Sequence, residues 1–82
     1  MTTSKLPLIA ATRHLATTGE ARRIRSDAKI RVSELARHLG VSENTLNRWE
    51  TGQRTPSDEH TVQWGLALQE LLQIVEGFDD LP

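Results

Sequence analysis

The sequence predicts an all-α protein, a compact four- to five-helix bundle that ends on a long C-terminal helix. Three observations predict it. Apolar residues recur three and four apart along most of the chain. No run of β-branched and aromatic residues alternates over four to eight positions, as a strand would need. Only Trp49, Trp64 and Phe78 are aromatic, so the core comes mainly from Leu, Ile, Val and Ala, the material of packed helices. With 82 residues there is enough chain for one domain and one modest core.

Met1 to Leu6 is mostly polar and expected to be loose. Pro7 suits a first helical position, and Leu8, Ile9, Ala11, Thr12 and Leu15 give a helical stripe to about Ala16. Thr17-Thr18-Gly19-Glu20 fits a capping box, with Thr17 as N-cap and Glu20 reaching back to its amide. The helix it opens runs to about Ala28, with Ala21, Ile24 and Ala28 inward and Arg22, Arg23 and Arg25 outward.

Val32, Leu35, Ala36 and Leu39 again fall at helical spacing. Gly40 follows at once, where a left-handed residue reverses the chain sharply. Val41 is apolar and fills the angle between two helices. Ser42 is a good N-cap for the helix Glu43 to Thr51, which Gly52 ends. Thr55-Pro56-Ser57-Asp58 marks a further start, with Thr55 as N-cap, Pro56 in first position and Asp58 as the box partner. That last helix continues to about Glu76. Along it Trp64, Leu68, Leu71, Val75 and Phe78 lie four and three apart, while Leu66, Leu72 and Ile74 widen the stripe beyond the needs of one small core. Part of this surface packs on the preceding helices; Leu68, Leu71, Leu72, Val75 and Phe78 form a candidate dimer interface. Gly65 sits mid-helix at a cost of about 1 kcal/mol against Ala, which a close helix crossing would explain. The expected organisation is a loose segment 1–6, one domain 7–76 with its two-helix motif at 32–52, and an acidic tail 77–82.

The formal net charge is −1, but the charge is polarised. Residues 1–55 hold all ten basic residues against five acidic ones, giving +5; residues 56–82 hold six acidic residues and no Lys or Arg, giving −6. Absence of cysteine excludes disulfides and thiolate metal sites and suits a reducing cytoplasm. No apolar run approaches the roughly 18 residues of a membrane span, and no charged region followed by an apolar stretch marks a secretory signal. The expected location is therefore the cytoplasm. Catalysis finds no support. His14, His38 and His60 are far apart and lack metal-ligand companions at helical spacing, and no phosphate loop, nucleophile elbow or close carboxylate pair occurs. Neither a metal nor a cofactor is expected.

In the helix Glu43 to Thr51 only Leu46 and Trp49 are expected to be buried. Glu43, Asn44, Asn47, Arg48 and Thr51 remain, a polar side that packing does not explain. Its groups match base edges: an amide bonds adenine in two places, and a guanidinium does the same for guanine. A helix about 10–12 Å across also fits the major groove.

The pattern Leu35-Ala36-x-x-Leu39-Gly40-Val41-Ser42-x-x-Thr45-Leu46-x-x-Trp49-Glu50-x-Gly52-x-Arg54-x-Pro56 resembles the lambda-repressor/Cro-like, or XRE, helix-turn-helix family over about residues 17–72. The resemblance implies a bundle whose second motif helix enters the major groove of double-stranded DNA. It also implies a transcriptional regulator, commonly bacterial or phage, that binds a palindromic operator as a homodimer. By motif position it places Glu43, Asn44 and Arg48 at base-reading positions, with Asn47 alongside. Two positions depart from the family pattern. Arg31 stands where Ser or Thr is frequent, and Val32 where a DNA-touching Gln is frequent; Arg31 substitutes by reaching a phosphate.

Each assignment has a plainer alternative. Asn44 is otherwise a solvated first-turn residue, and Arg48 otherwise pairs with Glu50 or Glu43 at about 0–1 kcal/mol. Glu43 either accepts from a cytosine amino group or only complements the helix N-terminus. Arg54, in the loop after the helix, fits a phosphate contact, as do Arg31, Ser33, Ser42, Thr45 and Thr51; such contacts position without specifying. The expected function is a small Cro-like or phage-type repressor. Two other classes fit the same sequence: an antitoxin whose apolar C-terminal helix and acidic tail hold a toxin, and an interaction module, such as an anti-repressor, that has lost DNA binding.

Overall fold

The computed structural model describes residues 4–79, with side chains as far as Gly77. The expectations for Met1–Thr3, for the Phe78 side chain and for Asp80–Pro82 lie outside the described residues. Among the described residues five helices follow one another: α1 Leu6–Thr18, α2 Glu20–Asp27, α3 Val32–Leu39, α4 Glu43–Glu50 and α5 Asp58–Asp79. No strand occurs among the described residues. At about 1.5 Å per residue, the 22 residues of α5 span about 33 Å. It is the spine on which α1, α2 and α3 pack, while α4 packs on α3 and touches α1.

Two helix starts differ from expectation. Thr17 does not cap α2: it lies inside α1, where its hydroxyl donates to the Arg13 carbonyl at 2.8 Å. Gly19, at φ +83°, ends α1 with its N–H on the Ala16 carbonyl and immediately starts α2. One left-handed residue turns the chain, so α1 keeps two more residues of helix than a Thr17 cap would allow. Thr55 likewise does not cap α5. Ser57 does, its Oγ accepting from the His60 amide at 3.3 Å and its carbonyl accepting from the Thr61 amide at 2.8 Å. The shift puts Asp58 and Glu59 in the first turn, where negative charge meets the positive end of the helix dipole. At its far end α5 continues to Asp79, past the expected stop at Glu76.

The core joins Ala21 and Ile24 of α2, Leu35, Ala36 and Leu39 of α3, Leu46 and Trp49 of α4, and Trp64, Ala67 and Leu68 of α5. Leu68 is 1% exposed. It belongs to this core and is not available to a dimer interface, which corrects the candidate stripe. Of the others, Leu71 and Val75 are half-buried and Leu72 is exposed, together with Leu66 and Ile74.

Gly65 sits where α1 crosses α5. A Cβ there would collide with Thr12 Oγ1 and lie 2.9 Å from Leu8 Cδ1. Thr12 cannot yield easily, being buried with its hydroxyl bonded to the Leu8 carbonyl at 2.7 Å. Overpacking of this kind costs about 1–3 kcal/mol and opposes a propensity gain of about 1 kcal/mol. Gly65→Ala is therefore expected to lower stability by up to about 2 kcal/mol in urea unfolding; a gain would refute the close crossing.

Candidate nucleic-acid interface

Local chemistry sets the angle between α3 and α4. At the end of α3, the Val41 amide bonds the Ala36 carbonyl at 3.0 Å and the Gly40 amide bonds the Arg37 carbonyl at 3.1 Å, with Gly40 at φ +73°. This is a Schellman closure, and it leaves Val41 packed against the core. Ser42 then turns extended, and its Oγ accepts from the Thr45 amide at 3.1 Å. Glu34 bonds back to the Arg31 amide at 3.0 Å and fixes the entry to α3 in the same way.

The far end of α4 closes like α3, with the Gln53 amide on the Arg48 carbonyl at 2.9 Å. The helix stops at Glu50 and not at Thr51, which serves as C-cap with its hydroxyl donating to the Asn47 carbonyl at 2.9 Å. Leu46 and Trp49 anchor the inner side, Trp49 lying tilted on Trp64 with ring centroids 5.7 Å apart.

Glu50 is also inward, with its side chain fully buried. Its carboxylate accepts from Arg25 Nε at 2.6 Å and Nη2 at 3.0 Å, a bidentate pair in which the Arg25 side chain is 11% exposed. Arg25 Nη1 also donates to the Ile30 carbonyl at 2.8 Å. One guanidinium thus ties α2 and the α2–α3 turn to the last residue of α4. Arg25 does not face outward with Arg22 and Arg23, and it leaves Arg48 without Glu50 as a partner. Spacing carried this signal: Glu50 stands four after Leu46, and Arg25 four after Ala21, each on a buried face.

The opposite side of α4 is open. Glu43, Asn44, Asn47 and Arg48 are exposed. Arg48 and Glu43 have no ion pair among the described residues, and neither Asn44 nor Asn47 uses its amide side chain in a hydrogen bond there. These four, with Thr51 beyond them, share one exposed helix face carrying two free amides and a free guanidinium. The chain belongs to the helix-turn-helix domain family. The family profile matches residues 12–75, from the last two turns of α1 to near the end of α5, and the family is one of the lambda-repressor/Cro-like set. No curated protein and no solved structure matches the chain.

Within this helix-turn-helix domain the remaining expected contacts fall into three places. Ser42 and Thr45 sit at the start of α4, their hydroxyls 2.9 Å apart, with Ser42 donating to Thr45. Arg54 is exposed in the turn after α4. Arg31 is exposed at the N-cap of α3, and Ser33 is half-buried in its first turn. Membership makes the domain a DNA-binding one in kind. Among the described residues no helix is long and apolar enough to cross a membrane, and no three His, Asp or Glu side chains stand together to hold a metal.

Proposed function

We propose that the protein is a sequence-specific transcriptional regulator that inserts α4 into the major groove of duplex DNA, in the manner of a small Cro-like or phage-type repressor. One observation carries this: the outer face of α4 presents Asn44, Asn47 and Arg48 to solvent, unpaired among the described residues, on a helix whose inner face is locked by Leu46, Trp49 and Glu50. Unpaired amides and a guanidinium on a rigid support suit base-edge recognition. Arg54, Arg31 and the Ser42–Thr45 pair flank that face and take phosphates, setting the register. The protein acts by binding and not by catalysis, in the cytoplasm where the DNA lies.

Leu72 and Ile74, exposed beyond the core, and the half-buried Leu71 and Val75 support a two-fold dimer through the outer part of α5. Such a dimer meets a palindromic operator with half-sites about 34 Å apart. A toxin seated on the same residues is the reading to set against it, and mass measurement of the isolated protein against the protein purified from its host separates them.

Selection of bound duplexes from a random pool is the direct test. The expected product is an inverted repeat, and recovery of duplex without any enriched sequence would overturn the regulator. Arg54→Ala is expected to weaken selected and random duplexes alike, and to lower the slope of log affinity against log salt by about one. A change confined to one base position would instead place Arg54 among the base-reading residues.

A further inference from the structure

A cleft between α1 and the α4–α5 turn has a polar inventory that packing leaves unexplained. It measures about 210 Å³ and is lined by Arg13 and Thr17 of α1, Gly52, Arg54 and Thr55 of the turn, and Trp64 of α5. Trp64 is 1% exposed, yet its Nε1–H, a donor with no acceptor capacity, finds no partner among the described residues. Buried donors without acceptors are rare, and each asks for a group that would complete it. Around the same cleft, Arg54 has no ion pair among the described residues and the Thr55 hydroxyl makes no hydrogen bond there. The Thr17 hydroxyl proton is already committed to the Arg13 carbonyl.

Arg13 is partly engaged. One of its Nη2–H groups meets Asp58 Oδ1 at 2.9 Å, in a pair whose side chains are 51% and 76% exposed. An ion pair so open to water is weak, and the remaining guanidinium N–H groups stay available to a stronger acceptor. Two guanidinium groups and a hydroxyl thus line one space whose wall includes the ring that carries the unpartnered indole N–H, and Asp58 is the carboxylate beside Arg13. Donors of this kind in excess suit an oxyanion, and guanidinium forks suit phosphate above others because they match its oxygens two at a time.

We propose that this cleft is a phosphate site in which α1 supplies Arg13 beside Arg54. Gly52 and Arg54 follow directly on α4, so a duplex lying along that helix brings its sugar–phosphate backbone to the mouth of the cleft. In that case the site rests on the DNA-binding reading and adds α1 to its footprint. A free phosphate group fills the same donors.

The two sources are separable on the full chain. With ¹⁵N-labelled protein, inorganic phosphate is titrated against chloride at matched ionic strength while the indole Nε1–H signals of Trp49 and Trp64 are followed. A second titration uses a mixed-sequence 16-base-pair duplex. Movement of the Trp64 signal with inorganic phosphate alone assigns a free phosphate ligand; movement with duplex, with or without the first, assigns the DNA backbone. Arg13→Ala is expected to weaken the responding titration roughly tenfold or more, with Arg13→Gln as the second variant should alanine disturb the helix. Asp58→Asn, which removes the competing carboxylate, is expected to tighten it roughly two- to fivefold. In the duplex arm Arg13→Ala also lowers the salt slope by about one for every sequence. A Trp64 signal that stays still in both titrations, or affinities that ignore Arg13 and Asp58, overturns the site. Failure of the DNA-binding reading shows differently, as no duplex bound at low salt while the inorganic phosphate arm keeps its own result.

Discussion

Arg25→Ala is expected to cost the fold about 3–5 kcal/mol, because it leaves the fully buried Glu50 carboxylate without its counter-charge. Three hydrogen bonds go with it, two to Glu50 and one to the Ile30 carbonyl. A domain of this size has about 5–15 kcal/mol in total, so the variant sits near the edge of folding. Urea unfolding followed by far-UV circular dichroism reads the loss directly. A loss below 1 kcal/mol would mean that water reaches Glu50 and that the pair is not buried in solution.

The size of that loss does not measure what the pair contributes. Removing two charges from water costs several kcal/mol each, and a well-packed apolar pair at such a place is often as stable or more so. The double variant Arg25→Met with Glu50→Leu is therefore expected to recover most of the stability lost by either single change, with a coupling well above the scatter of independent sites. What the double variant lacks is the geometry. The guanidinium reaches α4, α2 and the α2–α3 turn at once, and an apolar pair sets no comparable angle. A recovered fold with weakened DNA recognition would show that the pair orients the helix it holds.

How much of this was legible depends on how local the cause is. The α3–turn–α4 unit is legible residue by residue because its determinants lie within a few positions: Gly40 and Val41 close α3, and Ser42 opens α4. The starts of α2 and α5 were harder, since Thr17 and Thr55 both satisfy the pattern of a hydroxyl followed three later by an acid. Competing residues two positions on, Gly19 and Ser57, took those roles. Choosing among them requires the crossing of α1 on α5 at Gly65, which joins residues more than fifty apart. The Arg25–Glu50 pair is hidden in the sequence for a related reason. Each side chain stood at a buried spacing in its own helix, but a charge on an apolar face makes sense only with a partner, and that partner is 25 residues away. The outer face of α4 was legible by elimination, because nothing in a helix explains two amides and a guanidinium in a row.

That face yields the second large expected effect. Arg48→Ala and Asn44→Ala are each expected to weaken the selected duplex by about 1–3 kcal/mol, and each to relax preference at a different base pair. Both residues are exposed and unpaired among the described residues, so their removal should leave stability within about 0.5 kcal/mol and any loss of binding belongs to the contact. Standing four apart, they are neighbours on the helix, and the double variant need not show the simple sum. Its affinity for the selected duplex should fall toward that for random duplex, whereas Arg54→Ala lowers both together. Binding-site selection on the variants reads the difference, and unchanged sequence preferences would remove Asn44 and Arg48 from base recognition. Glu43 is decided in the same experiment by the direction of its effect. If it accepts from a cytosine amino group, Glu43→Ala loses one base preference and affinity for the selected site. If it only complements the helix N-terminus, its charge repels the nearby phosphates, and the same variant binds every duplex more tightly.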